Sequence, residues 1–230
     1  MERILVTGSS RGIGRAIAER LAGPGRELIL HGRDVSALAV VEASVVARGG
    51  SAHTVRGDLT KHETIKRLAA AVGDATLTAL INNAGGAVVK PLEAISRVEW
   101  EESLGVGVTA PFLLAQSLLP RLAPGSSIVN VMSVAARRGF AGWSAYCAAK
   151  FALEGLAQAL REELRGRGVR VINVYPSATD TGLWDGVPGA WPRERMIVPS
   201  EVAEAVAYAL SRPAGVLVES VEVGDLSGPI

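Results

Sequence analysis

The stretch Arg3-Ile4-Leu5-Val6-Thr7-Gly8-Ser9-Ser10-Arg11-Gly12-Ile13-Gly14 decides how the rest of the chain is read. Its apolar start has the length of a buried strand. Beyond the glycines, Ile13, Ala16, Ile17 and Leu21 recur on one helical face, which stops at Gly23-Pro24-Gly25. Strand, glycine-rich turn and helix form the front half of a dinucleotide-binding unit. Glycines let the backbone approach a pyrophosphate, and the helix N-terminus offers free N–H groups and the positive end of a dipole. The spacing is Gly-x-x-x-Gly-x-Gly rather than Gly-x-Gly-x-x-Gly.

Working outward, Leu28-Ile29-Leu30 reads as a second strand ending at His31-Gly32-Arg33-Asp34. This tip lies about 20 residues past the glycine loop, where an adenosine ribose belongs. Arg33, with Arg11 as a second cation, suits a ribose 2′-phosphate. Asp34 in principle accepts a 2′-hydroxyl, but it better fits the cap of a helix starting near Val35. That helix runs to about Arg48. A strand at Ala52–Arg56 leads into Gly57-Asp58-Leu59-Thr60, then a helix at Lys61–Val72 and a strand at Leu77–Ile81.

Asn82-Asn83-Ala84-Gly85-Gly86 leaves that fourth strand. Its small residues allow close approach, and its asparagines suit bracing a neighbouring strand or a ligand. A long helix is expected from Val98 to Leu122, kinked at Pro111. Ser127–Val131 is a strand with Met132-Ser133 at its end, and Val169–Val174 is another, followed by Pro176. A last helix is expected with Ser200 as its cap, then a closing strand from Val216 to Val218, extending towards Val223. Alternating strands and helices imply an α/β fold with a parallel sheet covered on both faces. Its post-strand loops gather at one edge. No repeat or linker divides residues 1–230, so one domain is expected. Residues 177–199, with Trp184 and Trp191, read as an active-site lid.

Tyr146-Cys147-Ala148-Ala149-Lys150 places a phenol and an ammonium one helical turn apart. A neighbouring lysine favours the phenolate, so a lowered tyrosine pKa is expected. Such a tyrosine gives a proton to a carbonyl oxygen or takes one from an alcohol. Cys147, about 100° away around the helix, reads as a small buried residue.

Composition narrows the partners. The 230 residues carry a net charge of +1, which gives no basic footprint for nucleic acid. One cysteine excludes an internal disulfide framework. His31, His53 and His62 lack metal-ligand spacing, so no metal is expected. No apolar run is long enough to span a bilayer, and Met1–Val6 lacks a signal-peptide pattern. A reducing cytoplasm is the expected compartment.

Taken together, Thr7-Gly8-x3-Gly12-x-Gly14, Asn82-Asn83-Ala84-Gly85, Ser133 and Tyr146-x3-Lys150 resemble, in order and spacing, the short-chain dehydrogenase/reductases. The resemblance covers nearly the whole chain. It implies a Rossmann-like doubly wound sheet of about seven strands, usually in a homodimer or homotetramer. By the same resemblance Gly8, Gly12 and Gly14, flanked by Ser10, Arg11 and Ile13, hold a pyrophosphate. Asp58 contacts adenine with Leu59 beside it, and Asn83, Ala84 and Gly85 line the cofactor. Ser133 is similar to the serine that binds the substrate carbonyl, and Tyr146 to the general acid/base. Lys150 resembles the lysine that holds the nicotinamide ribose and tunes the tyrosine. Pro176 to Thr181 resembles the nicotinamide-amide segment, with Ser177 in place of a common glycine.

A larger departure is Gly107, which stands where the family usually has an asparagine that helps hold a relay water. Water is expected to fill the space of the missing side chain. The implied activity is hydride transfer between NADP(H) and a small-molecule carbonyl or secondary alcohol. Two alternatives remain at this level. One is an NAD-dependent relative with Asp34 on the ribose. The other is a catalytically weak NADP-binding sensor or assembly protein. Phe140, Trp143, Trp184 and Trp191 suggest an apolar or aromatic pocket.

Overall fold

The computed structural model describes residues 1–226 and 228. Seven strands form one parallel sheet: β1 (Glu2–Val6), β2 (Arg26–Gly32), β3 (Ser51–Arg56), β4 (Ala79–Asn82), β5 (Ser127–Val131), β6 (Arg170–Pro176) and β7 (Ser220–Val223). Their spatial order is β3-β2-β1-β4-β5-β6-β7. The order reverses between β1 and β4, so the loops after these strands diverge and leave a crevice at their carboxyl ends.

The strands are apolar on both faces because helices cover both. On one face Leu5, Ile29, Leu80, Ile128 and Val171 pack under α3 (His62–Val72), α5 (Ala110–Leu118) and α6 (Ser144–Arg165). On the other, Val6, Leu28, Ile81, Val129 and Ile172 meet α1 (Gly12–Leu21), α2 (Val35–Ala47) and α7 (Pro199–Leu210). Three asparagines interrupt the first face in register. Asn82 Nδ2 donates to Asn130 Oδ1 at 2.9 Å, and Asn130 Nδ2 to Asn173 Oδ1 at 3.0 Å. Asn173 in turn donates to Glu154 at 3.1 Å. The ladder satisfies the facing amide groups of these residues but leaves Asn82 Oδ1 buried without a partner.

Four expectations shift. The closing strand starts at Ser220, not Val216. The Val216 N–H instead donates to Pro213 O at 2.8 Å, in a turn. Helix α7 begins at Pro199 with Val198 as cap, because proline suits the first helical turn. The Val98–Leu122 helix is four pieces: α4 (Arg97–Leu104), a π-helical segment Gly105–Thr109, α5 and a 3-10 turn Leu119–Arg121. The irregularity precedes Pro111 because a proline ring collides with the carbonyl four residues earlier, here that of Gly107. Finally, Arg97–Arg121 is long and apolar enough to cross a membrane by length and composition alone. Here Ala110, Leu114 and Leu118 are core residues of the sheet.

Candidate active site

The glycine loop is built on contacts that exclude side chains. Gly8 and Gly12 have φ of +64° and +55°, a region glycine enters freely. A Cβ on Gly8 would lie 2.8 Å from the Cα of Ala84. One on Gly14 would collide with the Gly8 carbonyl and the Asn83 amide. Asn83 occupies its amide N–H groups on the loop itself, donating to Thr7 O at 2.9 Å and Gly8 O at 3.1 Å. Thr7 Oγ1 accepts from the N–H groups of Asn83 and Ala84 at 3.0 and 3.1 Å. The two loops flanking the crevice are thus locked together. Arg11 precedes α1, and its side chain makes no cap hydrogen bond to the first helical N–H groups. Ser10 rests against Gly32, whose Cβ would lie 3.0 Å from that of Ser10. Ile13 packs on the core, and Gly85 is exposed at the loop tip.

A residue the sequence did not single out holds this loop from behind. His31, buried in β2, accepts from the Gly8 N–H at its Nδ1 (3.3 Å). Its Nε2 therefore carries the proton and faces Gly57 O at 3.1 Å. The His31 carbonyl also accepts from the Ser9 N–H at 2.8 Å and the Ser9 hydroxyl at 3.2 Å. Burial lowers its pKa to about 4, so it is neutral at ordinary pH. Nothing in the pattern announces this, because its partners are backbone groups 23 and 26 residues away.

At the expected adenosine end, Asp34 Oδ1 accepts from Ala37 N–H at 3.0 Å and caps α2. Arg33 is exposed and lines a cavity of about 500 Å³. Arg56, Asp58, Lys61 and Arg67 share that cavity, which adds three cations that pattern reading passed over. Asp58 accepts from the N–H and the hydroxyl of Thr60, both at 2.9 Å. The Thr60 N–H is the main cause of its lowered pKa. The Leu59 side chain belongs to the core, so only its backbone faces outward.

Ser133 follows β5 and Tyr146 lies in the first turn of α6, so both sit at the carboxyl edge of the sheet. The Ser133 hydroxyl accepts from Ala135 N–H at 3.1 Å and approaches the Tyr146 phenol, an interaction that favours the phenolate. The phenol's pKa is nonetheless raised, not lowered as expected, because burial outweighs that interaction. Lys150 stands beside Tyr146, as the spacing suggested, but its ammonium is turned to a backbone acceptor. Its Nζ donates to Val131 O at 2.7 Å and lies 5.7 Å from the Tyr146 ring centroid. Burial lowers its own pKa to about 8. Cys147 is buried, as expected.

Gly107 corrects a second expectation. A Cβ there would lie 2.7 Å from the Cβ of Ala149, on α6 between Tyr146 and Lys150. The space of the missing asparagine is therefore taken by Ala149, not by water. Among the described residues no group of acidic, histidine and cysteine side chains could hold a metal.

Pro176 ends β6, paired with Val223. Beyond it, Thr179 bridges Ile197, and the Asp180 N–H donates to Ile197 O at 2.8 Å. The segment from 181 to 196 is thus a loop with pinned ends. Thr181 leans back over the glycine loop, its Cγ2 3.2 Å from where a Gly12 Cβ would be. Trp184 and Trp191 of this segment meet Trp143, which meets Tyr146.

Comparison with known proteins agrees with this geometry. Residues 2–188 match the short chain dehydrogenase family. An uncharacterized oxidoreductase of Listeria monocytogenes is 31% identical over 240 residues, covering 98% of this chain and 97% of that protein. D-threitol dehydrogenase of Mycolicibacterium smegmatis is 33% identical over 229 residues, covering 93% and 87%. An alcohol dehydrogenase from the archaeon Thermococcus sibiricus, complexed with 5-hydroxy-NADP, superposes with a TM-score of 0.90 at 27% identity. That match covers 100% of this chain and 99% of the other. A metagenomic short-chain oxidoreductase in complex with NADP gives 0.83 at 32% identity, over 97% and 96%. With the strand order, the glycine cradle and matches spanning nearly all of its length, the chain belongs to the short chain dehydrogenase family.

Proposed function

We propose that this protein transfers a hydride between NADP(H) and a carbonyl or secondary alcohol, with Tyr146 as the general acid/base. One observation carries the reading. The Ser133 hydroxyl and the Tyr146 phenol approach each other at the sheet edge where the glycine loop opens. A substrate oxygen placed between them meets both hydroxyls at once.

The residues fit the cofactor. Gly8, Gly12 and Gly14 let the loop pack closely against Ala84, Thr181 and Asn83, which presents its backbone and the N-terminus of α1 to a pyrophosphate. Arg33 and Arg11 suit the 2′-phosphate, with Arg56, Lys61 and Arg67 around the same cavity. Asp34 is occupied in capping α2, which weakens the NAD alternative. Asp58 and the Leu59 backbone serve the adenine. Ala84 and Gly85 line the crevice that Asn83 braces, and Lys150, Pro176 and Thr181 serve the nicotinamide end. When bound, NADP(H) supplies or accepts the hydride.

The chain's own groups handle the oxygen. Burial keeps the Tyr146 phenol protonated at neutral pH, which fits it to donate a proton to a carbonyl oxygen during reduction. Ser133 donates a second hydrogen bond to that oxygen. Lys150, titrating near pH 8, fixes α6 to the end of β5 and stands by to exchange a proton.

In the same reading, residues 177–199 are the substrate lid of a single domain. The compartment is a reducing cytoplasm, supported by one buried free thiol. The assembly is a homodimer or homotetramer, supported by the exposed apolar side chains Trp100, Phe112 and Phe151 on α4, α5 and α6. Carbonyl reduction assayed with NADPH and with NADH tests the cofactor assignment. Faster turnover with NADPH is expected, and equal rates would overturn it.

A further inference from the structure

We propose that a tryptophan cluster makes this chain selective for carbonyl substrates that carry an aromatic ring. The inference rests on the reading of Tyr146 as proton donor, and the experiment below separates the two.

Trp143 is the hub. It lies one turn before Tyr146, and their ring centroids are 5.6 Å apart, edge to face at 65°. Trp184 lies 5.9 Å from Trp143 and Trp191 lies 6.2 Å from it. The two lid indoles are 4.8 Å from each other. A continuous aromatic surface thus runs from the reactive phenol into the lid. Such spacings are those of rings in direct contact, so a substrate ring adds to the cluster rather than entering it. All four rings are half-buried, unlike rings that merely fill a core, so each keeps uncovered apolar surface.

The polar groups beside the indoles have partners of their own. The Trp184 indole N–H donates to Thr179 O at 2.9 Å, and that of Trp191 to Pro188 O at 3.1 Å. Arg193 pairs with Asp180 at 2.7 Å and Asp185 at 3.5 Å. An anionic substrate would have to displace these carboxylates to reach that cation. What Trp184 and Trp191 offer is π-surface. It is also held in place before substrate arrives. The Ile197 N–H donates to Ala178 O at 3.1 Å and closes the base of the lid, so little ordering opposes binding. A carbonyl oxygen at Ser133 and Tyr146 then leaves the substituent beside Trp143.

The test compares phenyl and naphthyl methyl ketones with cyclohexyl and n-hexyl methyl ketones of similar size. A trimethylammonium-bearing alkyl ketone is added, because aromatic clusters also attract cations. Two readouts are taken: kcat/KM with NADPH, and ketone affinity from quenching of indole fluorescence. Two ring contacts predict a preference of roughly tenfold or more for the aryl ketones. Trp191→Leu and, independently, Trp184→Leu should reduce it to about threefold or less, while Trp191→Phe keeps it. Equal kcat/KM for aryl and alkyl ketones, a preference for the ammonium ketone, or an aryl preference that survives both leucine variants would overturn the proposal. If no ketone turns over but aryl ketones still bind about tenfold tighter, aromatic selectivity stands and the proton-donor reading falls. If neither readout favours aryl ketones, the selectivity falls.

Discussion

The two ends of the crevice are built on opposite principles. At the glycine loop the contacts join backbone atoms to one another and to the side chains of Asn83 and His31, and there is no slack. Gly8 touches Ala84, Gly14 touches Gly8 and Asn83, and His31 ties Gly8 to Gly57. At the substrate end the contacts are between half-buried rings and ion pairs on a loop pinned only at its base. The first end has one geometry and fails if a methyl is added. The second tolerates exchange of side chains, and exchange changes what it prefers. A single chain thereby keeps a fixed grip on one ligand and an adjustable one on the other.

That contrast is open to attack, starting with the largest effect. Tyr146→Phe should lower turnover by about a thousandfold, in the range of general acid–base catalysis, with NADPH affinity within about twofold of the parent. Steady-state kinetics and cofactor titration check this. A parallel loss of cofactor binding would show that the two ends are not separate.

His31 gives the next effect. In the unfolded chain it titrates near 6.5, but in the fold only at about 4. Between those values the unfolded chain binds the extra proton. Its stabilising share is therefore whole above pH 6.5 and is lost as pH falls towards 4, by about 3 kcal/mol in all. Urea titrations across that range should show this slope in the parent and not in His31→Gln.

Gly107→Asn restores the residue usual in the family, yet should destabilise by about 1–3 kcal/mol, because Ala149 occupies the space. The urea midpoint should fall at unchanged m-value. The smallest effect is expected of Arg33→Ala, an exposed group among several cations. It should weaken NADPH by about tenfold and leave NADH nearly unchanged, as judged from KM for each.

The sequence shows the rigid end well and the adjustable end poorly. Gly8, Gly12 and Gly14 are legible because only glycine fits, and Asp34 is legible as a cap because its partner is three residues away. The alternation of strands and helices fixes the sheet for similar reasons. Trp143, Trp184 and Trp191 were legible as pocket residues, but Phe140, read with them, lies under Arg138 instead, and the joining of the indoles through Trp143 depends on where a long loop folds back. Lys150 at Val131 O and His31 at Gly57 O were hidden because backbone acceptors have no sequence signature. The kink expected at Pro111 is instead a π-helical segment a few residues earlier, because proline acts on the carbonyl behind it, not on its own position.

The central claim is that hydride passes to the carbonyl carbon while Tyr146 protonates the oxygen. Its direct test is a reduction run with NADPH carrying deuterium at both nicotinamide C4 positions, with the alcohol product examined by mass spectrometry and NMR. The account predicts one deuterium on the carbinol carbon with the parent protein and almost no product with Tyr146→Phe. An alcohol lacking that deuterium, or undiminished product from Tyr146→Phe, would contradict it.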